Sequence, residues 1–341
     1  MEAATMTIAT PVRLNRTDMR AAVATLTPQE VRFLVDRYYQ VQDDRKRSGN
    51  QVRAAGESGE PNALLQMVNE FEHVVEGQIK NAMGLYAARF GAGRWAQAQD
   101  GIGPVISAGL QAIVDMSRCS SAAALWRFAG LDPTVTWHGA EGARKLIDGA
   151  LPGHRGALNQ EQVAVVASAA GILAEKIYQR HAMFTETEVD YGAALTRDQV
   201  ARCVSLRPYS AMMKQLAYHI GACFIRVRGV KPQAYYGLVY ERYKLGLIQR
   251  NQAGEFAEAA AEGMARVGKG TEAYKAYSKG LLPDGHVDAR ARRYVAKFFL
   301  SHYWEVRYRC ERGCEPPRPW AIAHGGHKDY CPPQGPEVWK E

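Results

Sequence analysis

The chain has 341 residues, 47% apolar and 23% charged, with 43 Lys and Arg against 35 Asp and Glu, a net of +8. That apolar share is enough to offset chain entropy, so global disorder is excluded, and the length fits two or three domains. No run of about eighteen apolar residues occurs, so a membrane-spanning helix is excluded, and no membrane partner is expected. The opening MEAATMTIATPVRLNR lacks the basic start and apolar core of a secretion signal, so a cytoplasmic protein is expected.

The charge is unevenly placed. Residues 201–341 hold 23 Lys/Arg against 13 Asp/Glu, while residues 1–200 hold 20 against 22. One half therefore carries the basic field that a polyanion-binding surface needs, although a soluble basic surface without a partner has the same composition. Of the six cysteines, Cys119, Cys203 and Cys223 sit in apolar helical stretches and read as small core residues. Irregular spacing and a reducing compartment predict free thiols.

Taken in chain order, the pattern is helical almost throughout. Thr27-Pro28-Gln29-Glu30 is a capping box with proline at the first helical position, and it opens the amphipathic VRFLVDRYYQVQDDRKR. Residues 48–62, SGNQVRAAGESGEPN, are glycine-rich and polar and predict a flexible loop. A long helix over residues 61–90 follows, with Leu64, Val68, Phe71, Val75, Ala82 and Leu85 at coiled-coil spacing and Gln78 as the polar exception. It could close a hairpin on the first helix or join two chains as a homo-oligomer. Leu158–Glu161 and Thr196–Gln199 start further helices. Residues 208–250 and 252–280 give more, with a break at Gly229–Pro232, and the last strong helix spans about His286 to Arg309. With no alternating strand pattern, an all-α fold is expected. Its parts are a helical hairpin or coiled coil (1–95), a helix-hairpin-helix unit (96–137), an inserted helical segment (138–205), a basic helical domain (206–309) and a Pro/Gly-rich irregular tail (310–341).

The most informative stretch is Gly101-Ile102-Gly103-Pro104-Val105. Two glycines permit a tight turn, Ile102 can tuck between the flanking helices, and Pro104 pre-sets the next helix. The unpaired amides of that helix N-terminus suit a phosphate oxygen, a contact that positions DNA without reading its sequence. GIGP followed by VISAGLQAIVDM, Ser117-Arg118 and SSAAALWRFAGLDP resembles the helix-hairpin-helix region of IS110/IS116/IS902-family transposases. Looser likeness runs through residues 207–244, in Lys214-Gln215-Leu216, Tyr235-Tyr236-Gly237 and Tyr240-Glu241-Arg242, and through 286–304. The resemblance implies a DNA-binding protein of a mobile element or phage. That family also carries a RuvC-like α/β domain with four metal-holding acids, and residues 1–90 show no strand pattern to match it.

Other residues carry candidate chemistry. His286, Arg290, Arg293 and Lys297 recur at steps of four and three, a cationic stripe suited to a DNA backbone, and Arg118 adds a further counter-charge. Arg226, Arg228 and Lys231 make a second basic patch near Tyr235, Tyr236, Tyr240 and Tyr243, which could stack on bases but have core spacing. The resemblance implies a serine nucleophile, and Ser205 and Ser210 flank Arg207-Pro208. Neither has an activating base in sequence, so no catalytic residue is assigned and a serine strand-transferase stands as the alternative, with an oligomeric assembly protein as another. No cofactor is expected. Cys310, Cys314, His324, His327 and Cys331 could hold a structural zinc, although the spacing is not that of a standard finger.

Overall fold

Helix follows helix along the chain: α1 (Arg16–Ala24), α2 (Pro28–Glu57), α3 (Ala63–Ala88), α4 (Gly91–Gln97), α5 (Pro104–Ile113), α6 (Ala122–Phe128), α7 (Gly139–Ala150), α8 (Gln160–Ala169), α9 (Ala174–Thr185), α10 (Arg197–Val204), α11 (Ala211–Val230), α12 (Tyr235–Gln252), α13 (Ala257–Met264), α14 (Glu272–Tyr277), α15 (Asp284–Arg312) and the single turn α16 (Trp320–Ala323). This computed structural model describes residues 13–57, 63–323, 325–326 and 330–337. Among them there is no strand, only a lone antiparallel bridge between Leu158 and Leu195, so the protein is all-α. None of the described helices is long and apolar enough to cross a membrane.

The caps explain the starts. The Thr27 amide donates to the Glu30 carboxylate at 2.8 Å, and the Glu30 amide donates back to the Thr27 hydroxyl at 3.3 Å. Asn159 with Gln162 and Thr196 with Gln199 close reciprocal boxes on α8 and α10. Each satisfies two amides that the helix itself leaves unpaired.

The chain forms two compact units, one of residues up to Leu125 together with those from Gln215 onward, the other of Trp126–Lys214. The second contains the segment 138–205. Its core joins Ile147, Leu158, Val163, Ile177, Leu195 and Val200, all buried. Arg180 ties α9 to α10 by donating to the Cys203 carbonyl at 2.7 Å. Burial pushes the Cys203 thiol up to about 11, and burial likewise raises Cys119, so both behave as the expected core residues. Cys223 is only half-buried.

In the first unit, α5 is the hub. Every residue from Val105 to Ile113 is buried, which its small apolar sequence PVISAGLQAI permits. Its C-terminal carbonyls are met by cations, as the helix dipole favours. Arg32 donates to Ala112 O at 2.7 Å, and Arg307 donates to Leu110 O at 3.2 Å and Gln111 O at 3.3 Å. Burial works against the Arg307 charge, but Tyr303 and the Glu311 carboxylate outweigh it and hold its pKa above the ordinary arginine value. Beside α5, Trp95 stacks on Phe299 of α15 at 5.6 Å between centroids, and Phe224 of α11 stacks on Tyr236 of α12 at 4.7 Å.

Two expectations need correction. Residues 48–57 are not loop but the last turns of α2. Ser48 and Gly49 would weaken a lone helix by about 1 kcal/mol. Here Asn69 of α3 donates to Ser48 Oγ at 2.8 Å and to Arg45 O at 3.2 Å, Ser48 bonds to Glu72, and Arg45 pairs with Glu76. This polar lacing, rather than an apolar seam, joins that part of α2 and α3. The coiled-coil seam is accordingly only half used. Ala82 is buried and Val75 and Leu85 pack on the core with Ile79, Met83 and Tyr86, but Leu64, Val68 and Phe71 are 56%, 40% and 55% exposed.

Residues 310–312 still belong to α15; beyond them the described residues of the tail are irregular apart from α16, as the prolines predict, yet residues 330–337 are pinned. Tyr330 donates to Glu305 at 2.7 Å, and Trp95 Nε1 and Gln99 Nε2 both donate to Gln334 O, at 2.8 and 3.0 Å. His302 lies between the Tyr236 hydroxyl at 2.8 Å and Cys331 O at 3.0 Å. A carbonyl only accepts, so Nε2 carries the proton and Nδ1 accepts from Tyr236. Burial drives the His302 pKa down to about 4 against the partial support of that carbonyl.

Candidate nucleic-acid interface

The hairpin forms where the sequence places it, between α4 and α5. Ser107 of α5 donates to Gly93 O of α4 at 2.8 Å, which locks the two helices together. Between them Gly101 has φ +95, a backbone that side chains rarely adopt. A Cβ there would also meet Cys223 O, Phe224 and Val227 of α11, each at 3.3 Å. Ile102 inserts into the core, 5% exposed, with its amide on Gln99 O at 3.0 Å.

Gly103 faces the other way. It caps α5 in extended backbone, φ −90 and ψ 175, with no side-chain hydrogen bond, and a Cβ on it would meet nothing within 4 Å. Gly103 and Pro104 are half-exposed, whereas Val105 is buried. The Val105 and Ile106 amides belong to the first helical turn, which has no intrahelical acceptors. The turn thus has one glycine pressed inward on α11 and one opening the helix N-terminus outward.

Lys231, at the end of α11, is the cation the structure brings to this turn, its Nζ 2.6 Å from the Asp100 carboxylate. That pair neutralises the one acid beside the glycines. The rest of the second patch is spent elsewhere. Arg228 forks onto Glu241 at 3.1 and 2.6 Å, and Arg226 donates to Ala222 O at 3.4 Å and Cys223 Sγ at 3.3 Å. Tyr236 and Tyr240 are core, while Tyr235 and Tyr243 are half-buried.

The remaining candidates are dispersed. Arg118 is exposed beyond the C-terminal end of α5, about 15 Å along that helix from the glycines. On α15, Arg290 lies over the Phe256 ring at 4.7 Å, Arg293 is exposed beside it, and Lys297 is half-buried. Arg290 and Arg293 precede Phe299, the residue that packs on Trp95, by about two helical turns. His286 accepts from or donates to the Tyr277 hydroxyl at 3.1 Å. Burial, then Arg290 and Arg293, hold it below the usual histidine range, so it adds no charge to the stripe at neutral pH. Asp288 on the same helix takes Lys244 at 2.9 Å and Arg292 at 2.8 Å. Burial would raise its pKa, but Tyr240, Lys244 and Arg292 outweigh that and hold it at about 2. Several of the basic side chains are therefore engaged internally.

Ser210 and Ser205 hold helix ends. The Ser210 hydroxyl accepts from the Met213 amide at 3.2 Å at the start of α11, and Ser205 donates to Arg202 O at 3.0 Å at the end of α10. Nearby, Arg207 lies over the Trp137 ring at 4.7 Å and Lys214 over Tyr209 at 4.2 Å. Of the Cys/His group, Cys310 is half-buried and Cys314 and Cys331 are exposed, while His324 and His327 lie outside the described residues. Among the described residues no three His, Cys, Asp or Glu side chains converge as metal ligands.

No family model, curated protein or solved structure matches this chain. The site therefore rests on its own geometry. Sequence reasoning ranked Lys231 below the α15 stripe because its partner Asp100 is 131 residues away. The basic periodicity that singled out Arg290 and Arg293 carries no information about which turn of which helix they adjoin.

Proposed function

We propose that this is a DNA-binding protein of a mobile element or phage, working in the cytoplasm and related to the DNA-engaging half of an IS110-type transposase. Binding is mainly to phosphates. The observation that carries the reading is the α4–α5 turn, where Gly103 leaves the first amides of α5 without a side-chain cap and Lys231 pairs with Asp100, which precedes the two glycines. A phosphate oxygen accepts from those amides, with the helix dipole supplying positive potential and Lys231 cancelling the charge of Asp100. Arg118, Arg290, Arg293 and Lys297 act as outlying counter-charges to a longer duplex. The test is a titration of duplex, junction, single-stranded DNA and RNA at two salt concentrations. Duplex affinity that falls steeply with salt supports the reading, and salt-insensitive or absent binding overturns it.

A second reading concerns assembly. Leu64, Val68 and Phe71 are exposed on α3 while the α2–α3 contact beside them is polar. Exposed apolar stripes of this kind mark interaction surfaces. A homo-oligomer through residues 61–90 would bury the stripe against its copy. A molar mass measured by light scattering over a range of concentrations decides this.

A further inference from the structure

The aromatic groove between α12 and α15 is not used by the hairpin. It is an open cavity of about 500 Å³, within the size range of small-ligand sites. Tyr243 and Tyr294 stack face to face at 3.7 Å and 2°, forming one rigid wall. Tyr235 and Phe298, 6.4 Å apart, continue the aromatic lining, Phe298 stacking on Tyr294 at 6.2 Å. The lining contains no carboxylate. Arg250 at one end is held by Glu255 at 2.6 Å, but Arg242 is exposed at the rim and has no ion pair among the described residues. Cys331, whose carbonyl is fixed by His302, closes part of the boundary.

We infer that this groove takes an unpaired nucleobase of single-stranded DNA, stacked on the tyrosine rings, with an adjoining phosphate on Arg242. The pairing of π-faces with a free guanidinium is the chemistry of sequence-tolerant base stacking, because every base has a π-face and each carries a phosphate beside it. The absence of lining acids leaves the cation uncompensated, so a neutral aromatic ligand uses only half of the site. The inference rests on the DNA-binding reading but concerns a surface separate from the α4–α5 turn.

The experiment uses the full chain and three probes: a fluorescein-labelled oligothymidylate of about twelve nucleotides, a duplex of equal length, and thymidine 5′-monophosphate. Tyr235→Leu and Arg242→Gln should each weaken oligothymidylate binding about tenfold and leave duplex affinity unchanged. Circular dichroism and the thermal midpoint verify that both variants are folded. Saturation-transfer NMR should show thymidine monophosphate receiving magnetisation from tyrosine ring protons in the wild type, and much less in Tyr235→Leu. Ultraviolet crosslinking of a bromouracil-substituted strand should map to α12 or α15, which keeps the inference testable should either variant fail to fold. Duplex binding with no single-strand binding overturns this inference alone. Monophosphate binding in the groove with no DNA binding of either form overturns both the inference and the DNA reading, leaving a pocket for a free nucleotide. Crosslinks confined to other helices, or unchanged oligothymidylate affinity in both variants, overturn the inference.

Discussion

Gly103→Asp separates the two things that the first turn of α5 does. The position is extended, φ −90 and ψ 175, and a Cβ there meets nothing within 4 Å, so the aspartate fits without strain. Its carboxylate would accept from the Val105 and Ile106 amides. As a cap it improves on glycine by a few tenths of a kcal/mol, and its charge at a helix N-terminus adds about 0.3–1 kcal/mol. A gain of about 0.5–1 kcal/mol raises Tm by roughly 1–4 °C for a unit of this size. DNA binding should move in the opposite direction. The carboxylate occupies the amides a phosphate would use and repels the phosphate itself. Losing one charge-assisted hydrogen bond costs about 1.5–3 kcal/mol, so Kd rises about 10- to 100-fold. The slope of log Kd against log salt should flatten by about one phosphate contact. Thermal unfolding by circular dichroism and anisotropy of a labelled duplex at two salt concentrations read the two effects. Gly103→Ser, a neutral cap, should fall between wild type and Gly103→Asp in affinity. A variant that is more stable and keeps wild-type affinity would falsify the phosphate reading of this turn. Gly101 is unsuitable for the same test, because its φ of +95 and its contacts with α11 make any side chain a folding defect.

Three further outcomes follow from named contacts. Lys231→Ala leaves Asp100 unneutralised beside the turn, so duplex affinity should drop about threefold to tenfold, and Asp100→Asn should raise it; both are read by the same anisotropy assay, and equal affinities would detach α11 from the interface. The folded pKa of His302 is lowered to about 4 from an ordinary 6.5, so its contribution to stability is complete above about 6.5 and is lost as pH falls toward 4. The gap corresponds to roughly 3 kcal/mol, and denaturant midpoints between pH 7 and 4 should fall less steeply in His302→Gln. Phe71→Glu should convert any assembly formed through α3 to monomer without shifting Tm by more than about 2 °C, since Phe71 is 55% exposed. A wild type that is monomeric at every concentration rules that assembly out.

The all-α class and most helix starts were legible because their determinants lie within three or four residues of one another. Thr27 with Glu30 and Thr196 with Gln199 are complete instructions in four letters. The GIGP turn was legible for the same reason, down to the burial of Ile102. What failed was set at long range. Ser48 and Gly49 look like loop residues until Asn69 and Glu72 arrive from α3 to hydrogen-bond the Ser48 hydroxyl. Phe71 looks like a core residue because its spacing says nothing about whether a partner helix reaches that far. The α15 stripe was read correctly as one helical face. Of its members, Arg290 nevertheless lies over Phe256 and His286 bonds to Tyr277, engagements that depend on tertiary neighbours. The groove at Tyr243 and Tyr294 joins residues about fifty positions apart and left no local signal.

The hub helix α5 also sets an order of events during synthesis. Its last carbonyls wait for Arg307, 197 residues downstream of Leu110, and the Cys119 carbonyl waits for Trp304, 185 residues downstream. Until that late segment has left the ribosome, the last carbonyls of α5 lack their polar lid and Trp95 of α4 lacks the wall provided by Phe299. Trp126–Lys214, by contrast, is contiguous in sequence and can fold as soon as it emerges. A nascent chain stalled before α15 should therefore expose Trp95 and the C-terminal end of α5 to protease and to chaperones while its middle portion is already resistant. A release that comes too early, by a stop codon before Trp304, should leave a half-built protein rather than a shorter working one.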